Sequence, residues 1–575
     1  MRIQNRTVKA AAIAALALWL AGCTASPADT GGGDAGAELP IPTSKAEAVA
    51  QTRDKLVEDR SVYLDDQEDS IVDFYITVTK DNLTAEPPMT WGELNAIHSK
   101  AENTEEKKVQ VILQEGNAEG PENGLFGYSD THANGDLTLR GNSTLAAAMK
   151  SYKIKLYDEA GQWRGQSTIN FVKHAYDFTR IRNKLSFDYF KILPDFTSLR
   201  TQFVHLHVKD LTSGDTAFRD YGLYEQIEQP NKRFLKSHGL DSNAQLYKVT
   251  SFEFLRYEDE LKEADDPEYD EAKFNSILEI KGSNDHEKLL AMLDDINDYS
   301  LNFDQVFDKY FDRDNFLTWL AVNILTDNID TINQNYLLYS PVNSEKFFFL
   351  PWDYDGAWGY NEFNSEDDER APWQRGISNY WSNTLENRFF KNPDNVQQLL
   401  DKVAELEKIF TPERTAQMIE SYKKVVSPFV RRSPDLDIQR APIELFDEEL
   451  KRLETLPALN AQRFRESLEN PMPFFLAEPE TSGGETVFQW GASYDLQGDD
   501  IKYDFQVAKT PDFRNPISRQ TGLQTTSVKL PKLEPGRYFY QVTVTDSKGN
   551  ANTAFDIYQD TDDVKYFGVV QFYVE

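Results

Sequence analysis

The sequence predicts an α+β body over residues 45–470, followed by an all-β sandwich over residues 478–575. Three observations carry that reading. Strand-like alternation and helical periodicity are interleaved from Ile71 to Leu468. The longer helical stretches gather in the second half of that span. After Asn470-Pro471-Met472-Pro473 the helical pattern stops and short alternating runs take over. With 575 residues, 40% of them hydrophobic and 13% aromatic, the chain has apolar surface for more than one core.

The first 23 residues read as an export signal. Arg2, Arg6 and Lys9 form a basic start, and Ala10 to Ala21 is an apolar run too short to span a bilayer. Leu20-Ala21-Gly22-Cys23 fits a bacterial lipoprotein signal, with Cys23 as the lipidated residue. It is the sole cysteine, so the chain can form no internal disulfide. Residues 24–44 are mostly Gly, Ala, Pro, Ser and Asp and read as a flexible tether. The GxGxxG at Gly31, Gly33 and Gly36 follows no strand, which excludes it as a nucleotide motif. The expected location is extracytoplasmic, at the cell surface or in the periplasm, with membrane attachment through the lipid alone. A formal net charge of −34 argues against nucleic acid or an anionic membrane surface as partner.

Within the body, strands are expected at Ile71 to Val78, Val109 to Leu113 and Asp136 to Arg140. The last runs into Gly141-Asn142-Ser143-Thr144, a turn whose Arg140 guanidinium and backbone N–H groups suit phosphate oxygens. Lys150 to Leu156 alternates, placing Lys153 and Lys155 on the face opposite Tyr152, Ile154 and Leu156. A helix at Arg180 to Phe190 carries Arg180, Arg182 and Lys184, as phosphate ligands or as surface decoration. His205 and His207 share a strand face with Phe203; with no third ligand at a suitable spacing and no HExxH, they are read as structural. A strand at Gly222 to Gln226, a helix start in Asn231 to Gly239 and an acidic loop at Glu258 to Asp270 follow.

The segment from Asp312 to Gly359 is the most informative. An amphipathic helix, N-capped by Asp312, carries Phe316, Leu320 and Ile324. A β-hairpin with strands Tyr336 to Tyr339 and Lys346 to Leu350 comes next, then Asp353-Tyr354-Asp355-Gly356. Asp330 precedes Asn335 by five positions, and Asp353 follows the hairpin. Protein kinases place an Asp and an Asn at this interval and a further Asp after the next hairpin. Phosphoryl transfer needs a carboxylate that orients the attacking hydroxyl and hard oxygen ligands for Mg²⁺. Asn328-Ile329 stands where kinases have His-Arg, and Asp, Asn and Gly beside strands also serve as turn formers. Beyond it lie an acidic loop at Glu362 to Arg370 and a helix carrying Val396, Leu399, Leu400, Val403, Leu406 and Phe410. Alternating strands at Val487 to Trp490, Ile501 to Ala508, Thr526 to Leu530 and Tyr538 to Thr545 complete the chain in a pattern that resembles a fibronectin type III module.

NILTDNIDTINQNYLLY followed by FFFLPWDYDGAWG resembles the spore coat protein H (CotH) kinase family of atypical secreted protein kinases. LRGNST, KSYKIKL, RIRNKLSFD, SLRTQFVHLHV and DYGLYEQIEQPNKRFL agree in order, so the resemblance covers roughly residues 70 to 465. It implies a kinase-like body using ATP with Mg²⁺ or Mn²⁺ and phosphorylating Ser or Thr of surface or coat proteins. Asp330 would be the catalytic carboxylate, and Asp353, Asn335 and Asp355 the metal ligands. Arg140, Asn142, Ser143 and one of Lys155 and Lys153 would serve the nucleotide, Lys155 being preferred. Asp188 is the lone acid on the Arg180 helix, so a lysine partner would come from elsewhere, with Glu225 and Glu228 as candidates. The alternative is a non-catalytic surface binding or assembly lipoprotein with a pseudokinase fold.

Overall fold

A computed structural model describes residues 54–103, 106–194, 196–360 and 370–575. The export signal, Cys23, the tether, the first residues of the body and most of the acidic loop after Tyr360 lie outside the described residues.

Eight strands build the first half of the body: β1 (Ile71–Val78), β2 (Lys108–Asn117), β3 (Gly120–Pro121), β4 (Gly135–Arg140), β5 (Ser151–Leu156), β6 (Thr168–Val172), β7 (Thr201–Asp210) and β8 (Arg219–Glu228). Their order is β1-β7-β8-β6-β5-β4-β2-β3, and a further antiparallel pairing of β1 with β2 closes the sheet on itself. Alternation explains how the closed sheet is filled. Phe74, Ile76, Val109, Val111, Leu137, Ile154, Phe171, Val204 and Leu206 form one apolar core, while their neighbours along each strand face outward. Closure depends on the parallel pairing of β1 with β7, whose partners stand 132 residues apart in register Asp73↔His205. Strand alternation alone does not encode that pairing.

The second half is organised around the Arg313–Leu325 helix. Asp312 caps it, accepting from the Asn315 amide at 2.8 Å. The expected amphipathic helix is instead buried on every side: all residues from Asn315 to Leu325 are in the core. It is enclosed by the Pro393–Leu406 and Leu456–Ser467 helices and by strand β12 (Phe348–Pro351). Asn315, a buried polar residue on it, exchanges hydrogen bonds of 3.1 and 2.7 Å with the Phe349 backbone. The expected hairpin is present as β11 (Tyr336–Ser340) and β12, in a four-stranded sheet with β9 (Gln245–Val249) and β10 (Leu278–Ile280).

The C-terminal region is all β. Glu480–Ser482, Glu485–Gln489 and Ser527–Pro531 form one sheet. Lys502–Ala508, Ser518–Leu523, Gly536–Thr545, Ala551–Thr553 and Val569–Val574 form the facing one. Phe488, Val528, Phe505, Tyr540 and Phe572 join them in a common core. The Tyr538 hydroxyl donates to the Glu534 carbonyl at 2.6 Å, the tyrosine corner of immunoglobulin-like sandwiches. Stacking of Trp381 on Tyr494, 5.6 Å between centroids, seats this region on the body.

The Arg182–Ile192 helix ties the closed sheet to the helical half. Arg182 is fully buried between Asp177 and Glu449, the latter on the Phe446–Leu453 helix. Glu449→Ala leaves a buried guanidinium short of one anion, and such losses typically cost about 3–5 kcal/mol. The expected result is a clear fall in the denaturant midpoint, smaller for Glu449→Gln, which keeps one acceptor. An unchanged midpoint in Glu449→Ala would contradict this account of the junction.

Candidate active site

The loop that carries Asp330 begins where the central helix stops at Thr326. Asp327 takes a left-handed backbone (φ 53°) and is held by Arg370 at 2.7 Å. The Asn328 side chain accepts from the Asp330 amide and caps the single turn Ile329–Thr331. Thr331 donates to the Asn328 carbonyl at 3.1 Å and lies 3.2 Å from the buried Tyr380 hydroxyl, which anchors the turn from below. The Asp330 carboxylate accepts from Gln334 Nε2 and Asn335 Nδ2, each at 2.7 Å. Asn335 is itself left-handed, at φ 61°. The five-residue interval therefore folds into a short loop that returns the Asn amide to the Asp.

Strand β12 ends in Pro351, and the chain then turns through Asp353 at φ 62°, a conformation costly for a non-glycine residue. A Cβ built on Gly356 would lie 3.8 Å from Asp330 Cβ, so this turn packs against the Asp330 loop. Among the described residues the Asp353 carboxylate accepts no hydrogen bond. Burial and the neighbouring Asp355 charge push it up to about 6, against the pull of Arg140, Lys248 and His174. Burial and the charge of Asp355 likewise raise Asp330 above the usual carboxylate range, against its two amide donors.

Two cations face this group without a protein anion of their own. The Arg140 guanidinium stands 5.4 Å and the Lys248 ammonium 5.3 Å from the Trp352 ring centroid, and neither makes a hydrogen bond or ion pair among the described residues. Burial lowers both, with Asp353 as their leading opposing charge. Asp355 is fixed from the other side, 3.3 Å from His174 Nδ1, while His174 Nε2 is 2.7 Å from Glu225. Burial opposes charge on His174, yet its hydrogen bonds to Asp355 and Glu225 hold it up to about 10. Asn183 completes the link, donating to Glu225 at 3.1 Å and accepting from the Tyr354 amide at 3.0 Å.

The structure thus brings together Asp330, Asn335, Asp353, Asp355 and Arg140. It leaves others at the margin. Lys155 is exposed on β5, and Lys153 is ion-paired with Glu106 at 2.5 Å. Asn142 and Ser143 are exposed just beyond Arg140, in a turn requiring Gly141, where φ is +102° and a Cβ would collide with Thr144. Glu225 pairs with His174 and Glu228 with Arg200 and His238, so neither meets a lysine. Arg180, Arg182 and Lys184 are buried and bound to backbone carbonyls or acids; they do not decorate a surface. Sequence reading missed Lys248 and His174. Lys248 is a lone cation in an otherwise buried strand and His174 one of seven histidines, but neither feature says which site the residue joins.

Carboxylates crowded beside unpaired cations suit a divalent cation with polyphosphate better than any neutral ligand. The same crowding predicts a pH dependence. Folding raises the Asp353 carboxyl from 3.8 to about 6, so the folded chain holds the proton longer. The stability this confers is present below about pH 4 and lost as pH rises through 6. Asp353→Asn in chelator should raise the melting temperature at pH 7.5, by about 1–3 kcal/mol of stability. The gain should shrink toward zero by pH 4; a variant less stable than wild type at pH 7.5 would contradict the assignment.

Two comparisons with known proteins bear on this chain. Over 322 residues the chain is 27% identical to the inner spore coat protein H of Bacillus subtilis (strain 168), covering 55% of this chain and 82% of that protein. The model of the family described as CotH kinase protein matches residues 137–462, which contain every cleft residue above and more than half of the chain. The chain belongs to the CotH kinase protein family.

Proposed function

We propose that this chain transfers the γ-phosphoryl group of ATP to Ser or Thr hydroxyls of surface or coat proteins, using Mg²⁺ or Mn²⁺. One observation carries the reading: Arg140 and Lys248, lacking protein anions, converge beside the unbonded Asp353 carboxylate, and the turn that follows Asp353 packs on Asp330. In this assignment Arg140 and Lys248 hold nucleotide phosphates. Asp353 holds the metal ion, with Asp355 or the Asn335 amide oxygen as further ligand. The bound metal supplies charge neutralisation of the phosphates. Asp330, oriented by Gln334 and Asn335, accepts the proton of the attacking hydroxyl, and its raised pKa makes it a better base than an exposed aspartate. His174 keeps Asp355 turned into the cleft.

The name of the Bacillus relative supports coat or surface proteins as acceptors. The lipoprotein signal ending in Cys23 supports an extracytoplasmic, membrane-anchored location. The two-sheet topology and tyrosine corner of residues 480–574 support a fibronectin type III-like module, a docking platform rather than a source of chemistry.

The test is label transfer from γ-labelled ATP, with Mg²⁺ or Mn²⁺, to the protein itself and to a generic acceptor. Asp353→Ala and Asp330→Ala should each lower the rate by a factor of about 100 or more. Arg140→Ala and Lys248→Ala should chiefly raise KM for ATP, by about tenfold. A rate unchanged in Asp353→Ala would refute the metal assignment. An ATP-dependent thermal shift without label on any acceptor would favour a nucleotide-binding scaffold.

A further inference from the structure

We propose that Asp73, His205 and His207 form a second metal site, of the kind that takes Zn²⁺, on the outer face of the closed sheet. It shares no residue with the cleft. Read along the sequence the two histidines lack a third ligand; the parallel pairing of β1 with β7 supplies one. Asp73 lies in register with His205, and its Oδ1 is 2.9 Å from His205 Nδ1 and 3.0 Å from His207 Nε2. One donor atom from each side chain falls within 4.8 Å of the others. A tetrahedral ion with bonds of 2.0–2.1 Å separates its ligand atoms by about 3.3 Å, so the Asp73 oxygen need move from each imidazole nitrogen by only a few tenths of an ångström.

The surroundings fit a metal site. His205 turns its remote nitrogen, Nε2, to Asp220 at 2.9 Å, the carboxylate support that metal-bound imidazoles generally carry. Asp220 reaches that face through a β-bulge in the β7–β8 pairing, where Gly222 has φ +74° and its amide fixes the Asp220 carboxylate at 2.7 Å. The rings are held in place: His207 stacks on Tyr75 with centroids 4.4 Å apart, and His205 packs edge-on against Phe429 at 4.9 Å. The three side chains keep 13–15% exposure, enough for an ion to enter and a water to complete its shell. The neighbouring cation, Arg432, sits 3.6 Å from Asp220 Oδ2 rather than against Asp73. Two imidazoles and a carboxylate select Zn²⁺ or Co²⁺ over Mg²⁺, so the site would not compete for the cation proposed for the cleft. Its bonds would clip β1 to β7, the pairing that closes the sheet.

The experiment uses untagged protein stripped with chelator and titrated with Co²⁺, then Zn²⁺. One equivalent of Co²⁺ should bring up the visible absorption of a four-coordinate ion, Zn²⁺ should bleach it, and Zn²⁺ should raise the melting temperature. His205→Gln and His207→Gln, checked for native circular dichroism, should each lose both effects. Asp220→Asn should keep them with affinity reduced about 10–100-fold. Asp353→Asn should leave the absorption intact. No absorption in wild type, absorption that survives in the His205→Gln/His207→Gln pair, or absorption lost in Asp353→Asn would each overturn the proposal.

Discussion

A half-buried carboxylate that accepts no hydrogen bond among the described residues is an unfavourable thing to fold around, and the candidate site of this protein is arranged about one. Asp353 is held in a left-handed turn, close to Asp355 and facing two cations that touch it only through their fields. Each neighbour has a definable part. Trp352 carries Arg140 and Lys248 against its ring, keeping their donors clear of other anions. The His174–Glu225–Asn183 chain fixes Asp355 and the backbone after Asp353 together. Stability given up at such a turn is recovered elsewhere, in a central helix with no exposed face and in the buried Arg182 junction. That division between a strained cleft and an over-determined frame is how a preorganised electrostatic site is maintained.

The site was legible in the sequence to the extent that it is local. Asp330, Asn335, Asp353 and Asp355 fall within one loop–hairpin–loop segment, so their spacing already defines their neighbourhood. Arg140 could be placed because a glycine turn follows its strand. Lys248 and His174 could not, because they reach the cleft through β9–β11 pairing and through a bend after β6. Lys155 illustrates the converse: alternation assigned its face correctly, but the side of the closed sheet on which that face lies is a tertiary fact. The Arg313–Leu325 helix shows a similar limit, since a periodic apolar stripe does not exclude burial of the remaining faces. Asp73 and the two histidines are the extreme case, joined by a pairing across 132 residues.

The acidic character of the chain gains meaning from this geometry. With a formal charge of −34, most of the surface repels a nucleotide polyphosphate. Arg140 and Lys248 are local exceptions, partly desolvated and therefore more effective per charge than surface lysines. The span matched by the family, 137–462, begins just before Arg140 and ends beyond the Glu449 junction.

The most direct measurement is a crystal structure with a non-hydrolysable ATP analogue and Mn²⁺, the ion being located by its anomalous scattering. The account predicts Mn²⁺ bound to the Asp353 carboxylate, with the terminal phosphates against Arg140 and Lys248 and the γ-phosphate turned toward Asp330. Mn²⁺ away from Asp353, or phosphates bound where neither cation can reach them, would contradict it.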